Sequence, residues 1–208
     1  MIFSLSSLSR ARAQGASGRG WAKVPSISVV FQGNDDRVRL VHEAVGYWNR
    51  SFAEIGSKFR LGSVMQIAGA IPAGELAMLS AMVLSRRGGP ELPESVRRMP
   101  GDIVVALSDG DFISFCSRSL ALRKAIVGIR SPRVYPLTLP NVARNVIAHE
   151  IGHAIGLGHN ADAMTLMCGR PAPCRPDSFA SQTARFFPLT NGEKANLLAM
   201  YPANWTSE

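Results

Sequence analysis

The chain contains 208 residues, of which 46% are hydrophobic and 18% are charged, a balance typical of a folded globular protein and not of a disordered one. The formal net charge is +8, but the basic residues are spread along the chain in short pairs such as Arg86-Arg87 and Arg97-Arg98. We therefore expect these basic residues to lie on the solvated surface, and we expect no nucleic-acid partner. No apolar run approaches the roughly 20 residues that a membrane span needs, so no transmembrane segment is expected.

Residues 1–22 are rich in Ser, Gly, Ala and Arg, which predicts a flexible tail before a single folded domain over residues 23–208. Strands are predicted over residues 27–31 and about 61–67. Between them, an amphipathic helix is predicted over about residues 36–55, with an aspartate at its start as the capping residue. The apolar positions of this helix recur at three- and four-residue intervals: Val38, Val41, Val45, Trp48, Phe52 and Ile55.

Residues 70–100 contain two predicted helical segments, about 75–84 and 94–99, which we interpret as an insertion between strands. The insertion either borders a functional cleft or is a packed connector, and the connector is the simpler interpretation.

Buried strands are predicted over residues 102–107 and 125–129. A turn is predicted over 108–111, whose two aspartates would suit calcium only with a fuller set of ligands. Residues 112–115 either extend the preceding strand or pair with the sheet. The next helix is predicted to begin near Asn141, with that residue as its N-cap.

This helix carries the most informative motif of the chain, which is His149-Glu150-Ile151-Gly152-His153-Ala154-Ile155-Gly156-Leu157-Gly158-His159. The first two histidines are four residues apart, so on a helix both imidazoles project from one face and can bind one zinc ion. Gly156 permits a sharp turn that brings His159 back as a third ligand. Three protein ligands leave the fourth position for water, which indicates a catalytic zinc. Glu150 can then accept a proton from that zinc-bound water.

The pattern H-E-x-x-H-x-x-G-x-x-H, followed by Met167 eight residues beyond His159, resembles the metzincin clan of zinc peptidases and its matrixin branch in particular. The resemblance implies an α+β, zincin-like domain: a twisted mixed sheet with two long helices over residues 23–159, and a small C-terminal subdomain over 160–208. It also implies that Met167 forms the Met-turn, an apolar floor beneath the ligands. Met164 competes for that role but has a less suitable spacing.

The resemblance further implies a zinc-dependent endopeptidase, active on protein or peptide as a monomer. In metzincins a strand before the active-site helix forms the upper rim of the cleft and pairs with substrate. By that analogy Ile126, Val127, Gly128 and Ile129 would bind substrate, and residues 170–189 would wall the pocket after the scissile bond. The chain departs from many relatives in having Cys168 after Met167, where they have an aromatic residue. His42 is its only other histidine, so a second, structural zinc site is not expected.

Two features near the C-terminus complete the prediction. Cys168 and Cys174 are close enough to form a disulfide, with free thiols or pairing to Cys116 as the alternatives. A disulfide would favour an oxidising compartment, and we expect a secreted or extracytoplasmic protein although the N-terminus is a poor signal peptide. Thr190 to Glu193 forms a predicted capping box for a closing helix.

The alternative to a peptidase is a catalytically silent, zinc-containing module that binds proteins.

Overall fold

The computed structural model describes residues 20–85, 91–169, 174 and 176–208. Its strands and helices follow one another along the chain as β1 (Ile27–Phe31), α1 (Arg37–Glu54), β2 (Val64–Ala68), α2 (Ala73–Ser85), α3 (Glu94–Arg98), β3 (Ile103–Leu107), β4 (Phe115–Ser119), β5 (Lys124–Ile129), α4 (Pro140–Ala154) and α5 (Asn191–Met200). A short 3-10 turn at Pro176–Phe179 precedes α5. None of the helices in these ranges is long and apolar enough to cross a membrane.

The five strands form one mixed sheet in the order β2-β1-β3-β5-β4. The first four of these strands are parallel, whereas β4 runs antiparallel to β5 and lies at the edge. The expected mixed sheet with two long helices is therefore confirmed, the long helices being α1 and α4.

Side chains of the central strands alternate between two hydrophobic clusters because successive residues of a strand point to opposite faces. In β3, Ile103 and Val105 belong to the cluster that also contains residues of α1 and α4. Val104 and Ala106 belong to the second cluster, which contains residues of α2 and α3. Helices therefore cover both faces of the sheet, and α2 and α3 supply the second layer.

The unpaired backbone edge expected of residues 126–129 is absent from β5. That strand is hydrogen-bonded to β3 on one side and to β4 on the other, and Ile126, Val127 and Ile129 are fully buried. No unpaired backbone edge remains for a substrate. On this side of the sheet the edge strand is β4, which begins at Phe115 and so takes in only the last residue of the segment 112–115.

The N-termini of the two long helices also differ from expectation. The side chain of Asp36 makes no capping bond, whereas the carboxylate of Asp35 accepts a hydrogen bond from the backbone N–H of Arg37. In α4, Pro140 is the first helical residue, a position that suits proline because its missing N–H would have no partner there. Asn141 is therefore inside the helix, where its side chain donates to the carbonyl of Phe179.

Residues 20–22, which were predicted to belong to the tail, are part of the folded domain. Residues 1–19 lie outside the described residues, but Trp21 is buried and its indole N–H donates to the carbonyl of Ala154 at the end of α4. At the other terminus, the capping box of α5 is confirmed: Thr190 accepts from the N–H of Glu193, and Glu193 accepts from the N–H of Thr190. Both ends of the domain thus pack near the C-terminal end of α4.

Candidate metal centre

Three imidazole rings converge at the C-terminal end of α4. His149 and His153 lie one turn apart on the helix, and His159 follows the turn that ends it. The Nε2 atoms are 3.1 Å apart for His149 and His153, 3.2 Å for His149 and His159, and 2.9 Å for His153 and His159. The convergence expected from the spacing of the motif is therefore present.

Backbone carbonyls orient two of these rings. The Nδ1 atom of His149 lies 2.7 Å from the carbonyl oxygen of Leu166, and Nδ1 of His153 lies 2.8 Å from that of Leu157. Because a carbonyl can only accept, each Nδ1 carries the hydrogen and donates it, which leaves the lone pair on Nε2. Burial lowers the pKa of His149 to about 4, against a smaller opposing effect of the bond to Leu166. Burial also holds the pKa of His153 well below its ordinary value.

The geometry and chemistry of this donor set fit a zinc ion. Tetrahedral ligands at about 2.0–2.1 Å from zinc are about 3.3–3.4 Å apart, which is within a few tenths of an ångström of the observed separations. Two neutral imidazoles with lone pairs on Nε2 face each other here beside the Nε2 of His159, and such a donor set suits a cation between them. In the described part of the chain, His149, His153 and His159 are the group of side chains that could hold a metal ion.

Two glycines allow His159 to reach the centre. Gly156 has a φ of +109°, which lets the chain leave the helix in a direction that other residues rarely adopt. Gly169 lies against the ring of His159, and a Cβ atom at that position would be 2.3 Å from its Cδ2. A side chain at residue 169 would therefore displace the third histidine.

Met167 lies beneath the helix that carries the histidines. It is fully buried, and its Sδ atom would be 2.5 Å from a Cβ at Gly152. Trp48 of α1 also packs at this glycine and donates its indole hydrogen to the carbonyl of Ala148. Met164, the competing methionine, is 65% exposed and cannot form such a floor.

Glu150 lies beside the histidines with its side chain buried, and no hydrogen bond joins its carboxylate to the described part of the chain. Burial raises the pKa of Glu150 to about 8, so a proton binds to it more readily than to an ordinary glutamate. A carboxylate with these properties can accept a proton from a nearby water and release it to another group.

The histidines and Glu150 open into a cleft with a volume of about 340 Å³. One side is formed by Phe115 and Cys116 of the edge strand β4, and by Val83 and Leu84 at the end of α2. The segment 70–100 therefore borders the cleft, contrary to the simpler interpretation as a connector. Sequence reasoning kept the border formed by α2 only as an alternative, because nothing in its residues distinguishes it from an ordinary apolar helix, and it missed the border formed by β4.

The opposite side of the cleft contains the Cys168–Cys174 disulfide, so that expected pairing is confirmed and Cys116 remains a free thiol. Pro176 and Phe179 continue this wall. Of the region 170–189 that was expected to wall the cleft, residues 170–173 and 175 lie outside the described residues.

The aspartates of the turn at 108–111 face arginines. Asp109 lies 4.0 Å from a guanidinium nitrogen of Arg37 and 3.9 Å from one of Arg133, and Asp111 lies 4.0 Å from one of Arg130. Each of these pairs lies at the limit of ion-pair distance, and the carboxylates are not among the described groups that could hold a metal. The structure therefore gives no support to calcium at this turn.

No protein-family model matches the chain, and no curated protein matches it. Among solved structures, it is similar to archaemetzincin from Methanopyrus kandleri, with a TM-score of 0.52 and 17% identity over 86% of this chain and 96% of that one. Metalloproteinase-II from Bacteroides fragilis aligns with a TM-score of 0.47 and 16% identity, over 89% of this chain and 55% of that one.

The similarity to archaemetzincin shows a shared fold. This chain combines that fold with three histidines that could bind a metal and a glutamate beside them.

Proposed function

We propose that the chain is a zinc-dependent endopeptidase of the metzincin type with a matrixin-like motif. The observation that carries this proposal is the convergence of three Nε2 atoms within 2.9–3.2 Å of one another, with the buried carboxylate of Glu150 in the same cleft. His149, His153 and His159 would hold the ion. Zinc supplies Lewis-acid chemistry in such a site, lowering the pKa of water from 15.7 to about 7 and polarising a carbonyl.

Glu150 is the general base of this proposal. Its carboxylate accepts the proton of the attacking water and then delivers that proton to the leaving amine of the peptide. The side chain suits both steps because it lies in the same cleft as the three histidines. Met167, packed against Gly152, holds the helix that positions both the base and two of the ligands.

The substrate would bind along β4 and not along β5. In the described part of the chain, no strand pairs with the outer edge of β4, and Phe115 and Cys116 of this strand line the cleft. An extended peptide can add to such an edge through backbone hydrogen bonds. By the resemblance to metzincins, the peptide would run antiparallel to β4, with Pro176 and Phe179 near the residue that follows the scissile bond.

We also propose that the protein acts outside the cytoplasm. The bond between Cys168 and Cys174, both of which line the cleft, supports this proposal, because disulfides persist mainly in oxidising environments.

Cleavage of a broad peptide library and of casein tests the proposal, with the wild-type protein and the Glu150→Gln variant both loaded with zinc. The variant is expected to keep one zinc per chain and to lose cleavage by a factor of about 10²–10⁴, the contribution of a general base. Undiminished cleavage by the variant would remove Glu150 from the mechanism. Absence of any cleavage by the zinc-loaded wild type would favour the silent binding module instead.

A further inference from the structure

Arg130 lines the same cleft as the three histidines and is the one permanently charged cation among its described lining residues. It lies in the loop between β5 and α4, and its side chain is 17% exposed. The main chain is fixed on both sides: the N–H of Arg130 lies 3.3 Å from Oγ of Ser114, and its carbonyl accepts from Arg37 at 2.8 Å. The backbone from which this guanidinium projects is thus held in place.

The guanidinium has unused hydrogen-bonding capacity. One Nη donates to the carbonyl of Tyr135 at 2.8 Å, while the buried Nε has no partner in the described part of the chain. A buried donor without an acceptor is uncommon in native proteins and calls for an explanation. The carboxylate of Asp111 lies 4.0 Å from the guanidinium and is 73% exposed. This ion pair contributes little attraction to Arg130 because solvent and salt screen it.

The position of Arg130 relative to β4 indicates which part of a substrate it would meet. Ser114, whose hydroxyl bonds the N–H of Arg130, immediately precedes the first residue of β4. A peptide antiparallel to β4 directs its C-terminal part toward the beginning of that strand. Residues after the scissile bond therefore approach Arg130, beside Pro136 and Leu137, which also line the cleft.

We propose that Arg130 binds a carboxylate on the C-terminal side of the scissile bond, so that the enzyme prefers substrates that are acidic there. This inference rests on the proposed peptidase function and deepens it. An arginine recognises a carboxylate through paired, charge-assisted hydrogen bonds. The carboxylate is either an acidic side chain or the free C-terminus of the peptide, since both present the same group.

The test compares fluorescein-labelled probes of sequence Ala-Ala-Leu-Xaa-Ala with an amidated C-terminus, in which Xaa is Glu or Gln. A third probe has Gln and a free C-terminal carboxylate. Dissociation constants are measured on the zinc-loaded Glu150→Gln protein, and kcat/KM is measured on the wild type. We expect the acidic probes to bind about 10- to 100-fold more tightly than the neutral one, as charge-assisted bonds allow. The probe with the larger effect identifies the source of the carboxylate.

Substitutions then assign the preference to one side chain. Arg130→Gln should abolish it and Arg130→Lys should retain part of it. Arg133→Gln is the matched control because this arginine lies in the same loop but is 82% exposed and outside the cleft lining; it should keep the preference. Asp111→Asn removes a competing carboxylate and should strengthen binding of the acidic probes, which a merely structural role of Arg130 would not predict.

The two proposals fail separately. If the wild type cleaves the probes but shows equal kcat/KM and equal affinity for acidic and neutral ones, the peptidase function stands and the role of Arg130 is overturned. If nothing is cleaved, the peptidase function falls, and the binding constants still decide the role of Arg130. If the folded Arg130→Gln protein still prefers the acidic probes, the proposed role of Arg130 is overturned as well.

Discussion

The Sδ atom of Met167 occupies the space that a side chain at residue 152 would need, 2.5 Å from the position of a Cβ on Gly152. The same Cβ would lie 2.9 Å from Cζ2 of Trp48. The glycine in the middle of the histidine motif therefore marks where α1, α4 and the buried methionine meet, directly behind the metal centre.

Gly152→Ala is expected to destabilise the protein by about 1–3 kcal/mol, because overpacking forces buried neighbours to move. Urea denaturation followed by circular dichroism measures this change. Gly74→Ala in α2 is the control, since a Cβ there meets nothing within 4 Å and alanine is a better helix former than glycine. Equal stability of the two variants would contradict the close packing described for Met167.

Zinc binding is expected to depend on the histidine that comes from outside the helix. The wild type should bind one zinc ion per chain, and His159→Ala should weaken that binding strongly because two ligands remain. His42→Ala should have no effect, since this histidine lies on the exposed side of α1. Metal content after dialysis and competition with a chromogenic chelator measure the affinity; an unchanged affinity in His159→Ala would exclude the three-histidine site.

Removal of zinc should lower the melting temperature, because a ligand that binds only the folded state stabilises it by mass action. At a free zinc concentration of 100 times Kd, this stabilisation is about 2.7 kcal/mol. A thermal melt with and without chelator measures the difference, and added zinc should restore the original transition. An identical melt for the His159→Ala protein with and without chelator is the control.

Asp102 should make folding stability depend on pH. Its carboxylate accepts two hydrogen bonds of 2.8 Å from Ser26 and pairs with Lys23 at 2.8 Å. Burial opposes ionisation, but these partners outweigh it and hold the pKa of Asp102 below its ordinary value. The stabilisation is thus present above the unfolded pKa of about 3.9 and is lost as the pH falls through the folded value.

Asp102→Asn should therefore destabilise the protein by about 1–3 kcal/mol at pH 7 and by progressively less below pH 4. Denaturant melts of both proteins between pH 3 and pH 7 measure this trend. Glu94→Gln provides a comparison, because Glu94 forms its ion pairs with Arg97 and Arg98 at the exposed surface. If the difference in free energy of unfolding between wild type and Asp102→Asn stayed constant with pH, the ionised carboxylate would not be the source of the stabilisation.

Tyr201 joins the N-terminal segment to the end of α4. Its buried hydroxyl donates to the carbonyl of Ile155 at 2.9 Å and accepts from the N–H of Trp21 at 3.1 Å. Tyr201→Phe leaves both backbone groups without this partner and should cost about 1–3 kcal/mol. Denaturant melts followed by tryptophan fluorescence and thermal melts detect the loss, with Tyr135→Phe, at a 64% exposed position, as the control. Equal stability of the two variants would show that the hydrogen bonds of the Tyr201 hydroxyl do not stabilise the protein.

The sequence predicted the histidine cluster well because its geometry is local. Helical periodicity and one glycine turn determine where His149, His153 and His159 point. The strand at the edge of the sheet beside the cleft could not be derived in this way, since strand order depends on contacts distant in sequence. One available signal was the continuous apolar run of 125–129, which is typical of a strand buried on both faces. Similarly, Pro140 was the signal that Asn141 is not the cap of α4.

The exposed backbone of β4 also has a consequence for self-association. Any strand edge that can accept a peptide can accept the same edge of a second molecule, which would bury both clefts. The strand is five residues long and carries Arg118, and short, charged edges discourage such pairing in natural sheets. Dimers formed through this edge and complexes with extended peptides would thus be mutually exclusive, so a short, charged edge also keeps the cleft open.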